Sequence, residues 1–351
     1  MLEIAIFQSD LNTGGIQRSL LAVLSYLKDK PVHIDLYLFR RIRLEGLNIP
    51  GNVRVIQHTR FSFMLRFLPF SLAHVLSKPV ETTKNYDLSI DFNSYWHECA
   101  HGALSVRAVR RICWIHSDLK LRYALNWKYR LLWLFSHSKF GSFDAFAAVS
   151  KGAADSFADL SGISREHISI VPNLIDISMI VSGSREKIDL TVDPSLYNLV
   201  SVGSMNYYKG FDILVQLMSD IVRKRPDTRL YIIGDGPSRK DIEQMVKRLD
   251  LTHYVFFLGS RPNPYPFLAH MDGFITTSRY EGQGIAVMEA LALELDVFIP
   301  RHLERYLDGV QGYDNLVEAI VRAPKRHVHY DFEAYNKHVR EQLNLLLGIE
   351  R

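Results

Sequence analysis

The chain has 351 residues, 47% of them hydrophobic and 23% charged. This is the balance of a globular protein too long for one ordinary core, and it predicts two domains. The formal net charge is +4, and the sequence has no run of eighteen apolar residues, so no membrane-spanning helix is expected.

The N-terminal half alternates strand and helix patterns. The opening stretch, residues 2–7, is strand-like and lacks a basic n-region, so no signal peptide is expected. Residues 4–8 read as a strand, Gly14 and Gly15 as a turn, and residues 16–27 as a helix with Leu20, Leu21, Leu24 and Leu27 on one side. Strands follow over 32–39 and 53–57. Residues 61–76 are an apolar helix candidate interrupted by Pro69. Further strands are expected at 87–92, 111–115 and 143–149, with helices at 127–136 and 151–160. His97 and His101 share an i, i+4 spacing, but without a third ligand the preferred reading is a solvated helix face. Cys99 and Cys113 are too few for a disulfide scaffold, and buried thiols in a reducing compartment are expected.

Residues 176–196 read as a polar connection. A second alternating series then begins: strands at 199–202, 230–233, 255–258, 273–276 and 297–299, and helices at 210–222 and 238–249, the latter capped by Ser238. A last helix covers 332–347. Strands alternating with helices predict parallel, doubly wound α/β domains.

The chemistry is concentrated in residues 278–291. A short apolar strand runs into a loop carrying Glu281, Gly282, Gln283 and Gly284, and then into an apolar helix from Ile285 that carries Glu289. The glycines let backbone approach a ligand, and a helix N-terminus favours phosphate. The two carboxylates can accept hydrogen bonds from sugar hydroxyls. In an open α/β sheet these groups fall at the C-terminal strand edge, where such folds bind ligands.

This pattern, Ser-x-x-Glu-Gly-x-Gly with a second Glu eight residues after the first, resembles the signature of retaining nucleotide-sugar glycosyltransferases of family four. The segment from Val202 to Gly210 is similar to that family's Gly-Arg-Leu-x-x-x-Lys-Gly. Gly234-Asp235-Gly236-Pro237, Phe257-Leu258-Gly259, Asn263-Pro264-Tyr265 and Asn12-Thr13-Gly14-Gly15 also resemble family loops. The resemblance implies a GT-B fold of two Rossmann-like domains facing a cleft. Residues 1–175 would form the acceptor side and 176–330 the donor side, with a C-terminal helix, 331–351, packing back on the first domain. It implies a UDP-linked sugar donor, no cofactor or metal, and transfer to a glycan or lipid-linked acceptor in polysaccharide, capsule or glycoconjugate synthesis. Asp-x-Asp, the usual metal–diphosphate motif of the other glycosyltransferase fold, occurs nowhere.

Carried over residue by residue, the resemblance makes Glu281 the contact to donor-sugar hydroxyls and Lys209 the cation on the diphosphate. The backbone of Gly282, Gln283, Gly284 and Ile285 would hold the diphosphate, and Glu289 the ribose. His116, just past a strand end, would face the reaction centre. Gly14, Gly15 and Arg18 would line the phosphate or acceptor side, and Arg261 the nucleobase side. Ser204 stands where the family has Arg, so Arg261 or Arg279 is needed to supply the second cation. Glu294-Leu295-Asp296 replaces Gly-x-Pro, and residues 300–312 lack a Gly-Gly turn, so that end of the cleft is expected to be rebuilt. These departures keep an alternative open, a non-catalytic GT-B partner or nucleotide-binding scaffold. A dinucleotide oxidoreductase would need Gly-x-Gly-x-x-Gly after the first strand, which is absent.

Residues 101–143 hold eight bases and one acid, Asp118, interleaved with aromatics. The expectation is a cytoplasmic protein that docks peripherally on an anionic membrane surface through Lys128, Arg130 and Lys139. The other reading is a solvated helix face. No nucleic-acid partner is expected.

Overall fold

The computed structural model describes residues 1–11, 14–40, 47–57, 68–77, 80, 82–95 and 97–349. Asn12, Thr13 and the first part of the 61–76 helix candidate lie outside them. The chain divides into two compact units, Met1–Leu174 with Asn336–Arg351, and Ile175–Tyr335.

The first unit is built on seven parallel strands: β1 (Leu2–Gln8), β2 (Val32–Leu38), β3 (Val53–Gln57), β4 (Asn85–Asp91), β5 (Arg107–Ile115), β6 (Ala145–Ala148) and β7 (Ile168–Ile170). Their order is β3-β2-β1-β4-β5-β6-β7. Ile4, Ala5, Ile6 and Phe7 are all buried, as befits a strand covered on both faces by helices. The helices are α1 (Gly15–Leu27), α2 (Phe70–Leu76), α3 (His97–Ser105), α4 (Leu119–Leu125), α5 (Trp127–Ser136) and α6 (Lys151–Ser161). Pro69 precedes α2 directly at its N-cap, a position that needs no backbone N–H. The end of the last helix also belongs here: Tyr26 donates to Asn344 at 2.9 Å, and Arg110 to the Leu346 carbonyl at 2.9 Å.

The second unit has five parallel strands: β8 (Tyr197–Val202), β9 (Thr228–Ile233), β10 (Val255–Gly259), β11 (Gly273–Ile275) and β12 (Asp296–Phe298), ordered β10-β9-β8-β11-β12. Its helices are α7 (Ile177–Gly183), α8 (Phe211–Lys224), α9 (Arg239–Arg248), α10 (Tyr265–Leu268), α11 (Ile285–Ala292) and α12 (Leu316–Arg322), and it ends within α13 (Phe332–Leu347). The stripe Phe211, Leu214, Val215, Met218 and Ile221 of α8 packs with Leu199, Leu230 and Ile232 of the sheet, a helical period meeting a strand period.

In both sheets the chain winds one way from the first strand and then the other way from its neighbour. The switch points are β1/β4 and β8/β11, and there the loops at the C-terminal edge diverge and leave room for a ligand.

Three expectations change. Residues 176–196 contain α7 rather than only a connection. Ser238 occupies the N-cap of α9 but makes no side-chain cap bond. The face bearing His97 and His101 is not solvated: both residues are buried, and His101 Nδ1 shares a hydrogen bond with His74 Nδ1 at 3.0 Å. Cys99 and Cys113 are free and buried. Among the described residues no helix is long and apolar enough to cross a membrane, and no group of three metal-capable side chains lies together.

Candidate functional site

The loops after β8 and β11 meet at the switch point of the second unit. Beyond β8 the chain turns through Tyr207–Lys209, where Asn206 Oδ1 accepts the N–H groups of Tyr208 and Lys209 at 3.0 and 3.3 Å. Gly210 follows at φ 65°, and a Cβ there would stand 2.1 Å from the Thr277 carbonyl. Only glycine fits so close a backbone approach. Thr277 Oγ1 donates to the Gly210 carbonyl at 2.8 Å, and Arg279 N to the Tyr208 carbonyl at 2.8 Å. Arg279 also forks onto Asp212 at 2.9 and 2.6 Å and stacks on Tyr207. Its hydrogen bonds hold the Asp212 carboxyl below the usual carboxylate range.

These contacts present Lys209 to Glu281. Lys209 Nζ lies 2.6 Å from Glu281 Oε1, and Ser278 Oγ donates to the same oxygen at 2.7 Å. Thr276 Oγ1 is 3.0 Å from Ser278 Oγ, and His302 Nε2 donates to the Ser278 carbonyl at 2.9 Å. The carboxylate is thus oriented before any ligand binds, with its side chain 12% exposed. Such preorganisation is what a site for developing charge requires.

Helix α11 begins three residues after Gly282. Gly284 stands at its N-cap with φ 71° and no side-chain cap bond, leaving first-turn N–H groups for an anion. Glu289 is buried and accepts from Tyr265 Oη at 2.9 Å. The side chain of Gln283 is buried and its amide nitrogen donates to the Tyr335 hydroxyl, which leaves the expected role, carried by the backbone, untouched. Ile285 opens the helix.

Ser204 is exposed, in the loop between β8 and the Lys209 turn. Arg279, one candidate to replace the missing cation, is committed to Asp212. Arg261 donates to the Leu258 carbonyl at 3.0 Å, lies 3.4 Å from Asp189 and covers the Phe267 ring. That places it at the end of β10, beside its own loop.

The departures at 294–296 do not rebuild the site. Glu294 precedes β12 and Asp296 opens it, at the sheet edge opposite the Lys209–Glu281 pair. Glu294 adopts φ 60°, the left-handed conformation glycine would take, and Asp296 is forked by Arg326 at 2.9 and 3.2 Å. The 300–312 segment, by contrast, lies beyond the C-terminal end of β12 and supplies His302.

In the first unit, Gly14 precedes α1 and Gly15 opens it, and Arg18 N donates to the Gly14 carbonyl at 3.0 Å. His116 follows β5. It packs 4.8 Å from the Phe92 ring, and burial brings its pKa down to about 3. Its Nε2 is buried with no hydrogen-bond partner among the described residues. His116 is therefore a neutral imidazole offering a lone pair.

Sequence reasoning missed His302, and it placed Tyr265 and Ser278 inside family-like segments without giving either a partner. The His302–Ser278 and Tyr265–Glu289 bonds are tertiary contacts that leave no local pattern.

Two doubly wound α/β units, one of them carrying a lysine–carboxylate pair and an open helix N-terminus at its switch point, define the GT-B class of nucleotide-dependent transferases. Family comparison agrees. The model described as Glycosyltransferase Family 4 matches residues 13–179, and that of Glycosyl transferases group 1 matches residues 185–301. The chain belongs to the family-four type of glycosyltransferases. It is 29% identical over 155 residues to the lipopolysaccharide core biosynthesis glycosyltransferase LpsE of Rhizobium meliloti, covering 44% of this chain and 43% of that protein. It is 28% identical over 177 residues to a Campylobacter jejuni enzyme, N-acetylgalactosamine-N,N'-diacetylbacillosaminyl-diphospho-undecaprenol 4-alpha-N-acetylgalactosaminyltransferase, covering 50% and 47%. The chain spans half or less of the length of these curated relatives. In structure it resembles Anabaena HepE in complex with UDP and glucose, with a TM-score of 0.69, 16% identity, and coverage of 98% of this chain and 100% of that one. At this identity the likeness establishes the fold.

Proposed function

We propose that the protein moves a sugar from a UDP-linked donor to a hydroxyl of a glycan or lipid-linked glycan, with retention of anomeric configuration and without a metal. The observation that carries this is the Lys209–Glu281 pair at the β8/β11 switch point, 2.6 Å apart. Lys209 and the α11 amides would take the charge of the departing diphosphate, Glu281 the donor-sugar hydroxyls, and Glu289 the ribose. His116 Nε2 would accept a hydrogen bond from a sugar hydroxyl. The bond from the anomeric carbon to the diphosphate oxygen breaks as the acceptor oxygen bonds on the same face, and the acceptor hydroxyl's proton passes to the departing diphosphate. The protein's contribution is positioning and stabilisation of leaving-group charge. Support comes from the UDP and UDP-glucose complexes of HepE and from the glycan-building relatives.

The test is thermal unfolding with UDP, ADP and GDP, followed by hydrolysis of the matching nucleotide sugars with and without chelator. A ligand at a hundred times its Kd stabilises by about 2.7 kcal/mol. UDP is expected to raise the melting temperature, and turnover to persist in chelator. No stabilisation by any nucleoside diphosphate, or activity restored only by added magnesium or manganese, contradicts this reading. Ser204 favours a second reading, a non-catalytic partner that binds nucleotide; binding without hydrolysis or transfer for any donor tested would support it.

The proposal includes peripheral docking of the first unit on an anionic membrane, with one change of residues. Lys139 is buried and takes no part in a surface. On α5, Trp127, Leu131 and Leu134 are exposed at i, i+4 and i+7, one stripe of the helix, beside exposed Lys128 and Arg130. An apolar stripe flanked by bases suits the headgroup boundary, and each base contributes about 1 kcal/mol near anionic lipid. The expected result is co-sedimentation with phosphatidylserine-containing vesicles at low salt. Lys128→Glu with Trp127→Ser should release the protein. Equal partitioning onto neutral vesicles would mean that the stripe covers something else.

A further inference from the structure

The segment 300–312, which lacks the Gly-Gly turn expected from the family resemblance, closes on itself. At its base Pro300 bridges Tyr313, Tyr313 N donates to the Ile299 carbonyl at 2.8 Å, and Arg301 N donates to the Tyr313 carbonyl at 3.1 Å. Arg301 also forks onto Asp314 at 2.6 and 2.7 Å. Glu304 Oε1 accepts the Gly312 N–H at 2.7 Å. A Cβ on Gly312 would stand 2.7 Å from Arg301 Cα, so the two ends of the turn meet backbone to backbone. Leu303, Tyr306 and Leu307 are buried, and His302 is exposed. Filling the core therefore does not account for His302.

This closed turn touches the loop from Ser278 to Gly284 at both of its ends. His302 Nε2 lies 2.9 Å from the Ser278 carbonyl. A carbonyl only accepts, so Nε2 carries the proton. At the other end Leu307 sits against Gly284, the N-cap of α11: a Cβ built there would be 3.4 Å from a Leu307 methyl. Glu281 lies between these two contacts. Its Oε1 accepts from Ser278 Oγ at 2.7 Å and from Lys209 Nζ at 2.6 Å. Two hydrogen bonds in series thus connect the imidazole to the carboxylate, one at the Ser278 backbone and one at its hydroxyl.

We propose that His302 is a positioning residue for Glu281, acting through Ser278: the imidazole fixes the Ser278 backbone, and the Ser278 hydroxyl fixes the carboxylate. Leu307 holds the far end of the same loop, so Glu281 and the α11 amides keep one spacing for donor sugar and diphosphate. A loop ordered before the ligand arrives does not have to be ordered by it, which favours binding and the stabilisation of developing charge. What Glu281 recognises rests on the proposed transferase reading; how its loop is held does not.

The test uses the full chain and compares His302→Leu, which has no donor, with His302→Gln, whose amide nitrogen can take the place of Nε2. In the unliganded protein, hydrogen exchange over residues 278–284 should quicken by about tenfold in His302→Leu, the effect of one lost hydrogen bond, and stay near native in His302→Gln. Calorimetry then compares UDP with UDP-glucose, UDP-galactose and their N-acetylamino counterparts. His302→Leu should lower affinity for the preferred UDP-sugar by about tenfold and leave UDP within about threefold, and His302→Gln should restore it. Ser278→Ala cuts the link between backbone and carboxylate, so adding His302→Leu to it should change UDP-sugar affinity no further. Native exchange over 278–284 in His302→Leu overturns the proposal. So does a loss that adds fully to that of Ser278→Ala, and so does a loosened loop with unchanged UDP-sugar affinity. If no nucleotide sugar binds the native protein, the transferase reading fails, and the exchange measurement still decides whether His302 holds this loop.

Discussion

Glu281→Ala is expected to lower sugar transfer by about 10²–10³-fold, the range seen when one preorganised hydrogen-bonding group is removed, while UDP affinity is held or slightly improved. The carboxylate competes with any diphosphate for Lys209, its partner at 2.6 Å. Removing it frees the ammonium for the leaving group but takes away the acceptor for sugar hydroxyls that Ser278 and Lys209 hold in place. Glu289→Ala should behave in the opposite way. It removes a charged acceptor and strands the Tyr265 hydroxyl, buried beside it. Losing such a bond costs about 1.5–3 kcal/mol, which is roughly a tenfold to 150-fold loss of UDP affinity. Calorimetry with UDP and initial rates at saturating donor separate the two. Equal losses of UDP affinity in both variants would refute this division between sugar and ribose.

The parts of this site legible in the sequence were those close together along the chain. Glu281, Gly284 and Glu289 sit within one loop and one helix, so their shared edge of the sheet followed from a strand–loop–helix reading. Lys209 was placed by a second local pattern. Orientation was not legible. The Lys209–Glu281 pair spans 72 positions and the Tyr265–Glu289 pair 24, and only the winding of β8, β10 and β11 brings them together. Gln283 was assigned through its backbone, and the inward turn of its side chain to Tyr335 left no trace in the local pattern. Glu294 and Asp296 looked like damage to the cleft. The motif mismatch was real, yet its location at the far edge of β12 depended on topology.

Buried polar residues were the least legible. Alternating patterns sort residues by polarity, so His97, His101 and Lys139 were assigned to solvent. His101 and Lys139 are buried against groups distant in sequence, His74 for the first and Ser94 for the second. The face of α3 was misjudged for the same reason, since its buried residues include both histidines.

Those buried histidines make the first unit acid-sensitive. Burial lowers the pKa of both His101 and His116 to about 3, against about 6.5 in an unfolded chain. A depressed folded-state pKa means that the unfolded chain takes up protons first as pH falls. Stability is fully present above about pH 6.5 and is lost progressively toward pH 3. By pH 5 each histidine has removed about 2 kcal/mol, and by pH 4 about 3 kcal/mol. Asp91 has the opposite sign. Burial pushes its pKa up to about 6, so the folded state gains a proton the unfolded chain lacks, returning about 1 kcal/mol by pH 5 and about 2 by pH 4. The net expectation is a loss of roughly 2–3 kcal/mol at pH 5 and about 4 at pH 4, a large part of a typical domain's 5–15 kcal/mol. All four tryptophans, Trp96, Trp114, Trp127 and Trp133, lie in the first unit, so their fluorescence follows its urea unfolding alone. His101→Phe, which keeps an aromatic ring against Phe70 at the position of the present 4.1 Å stack, should remove about half of the histidine contribution to the slope. An unfolding free energy that stays flat from pH 7 to pH 5, or a slope unaltered by His101→Phe, would show that these imidazoles are not held neutral by the fold.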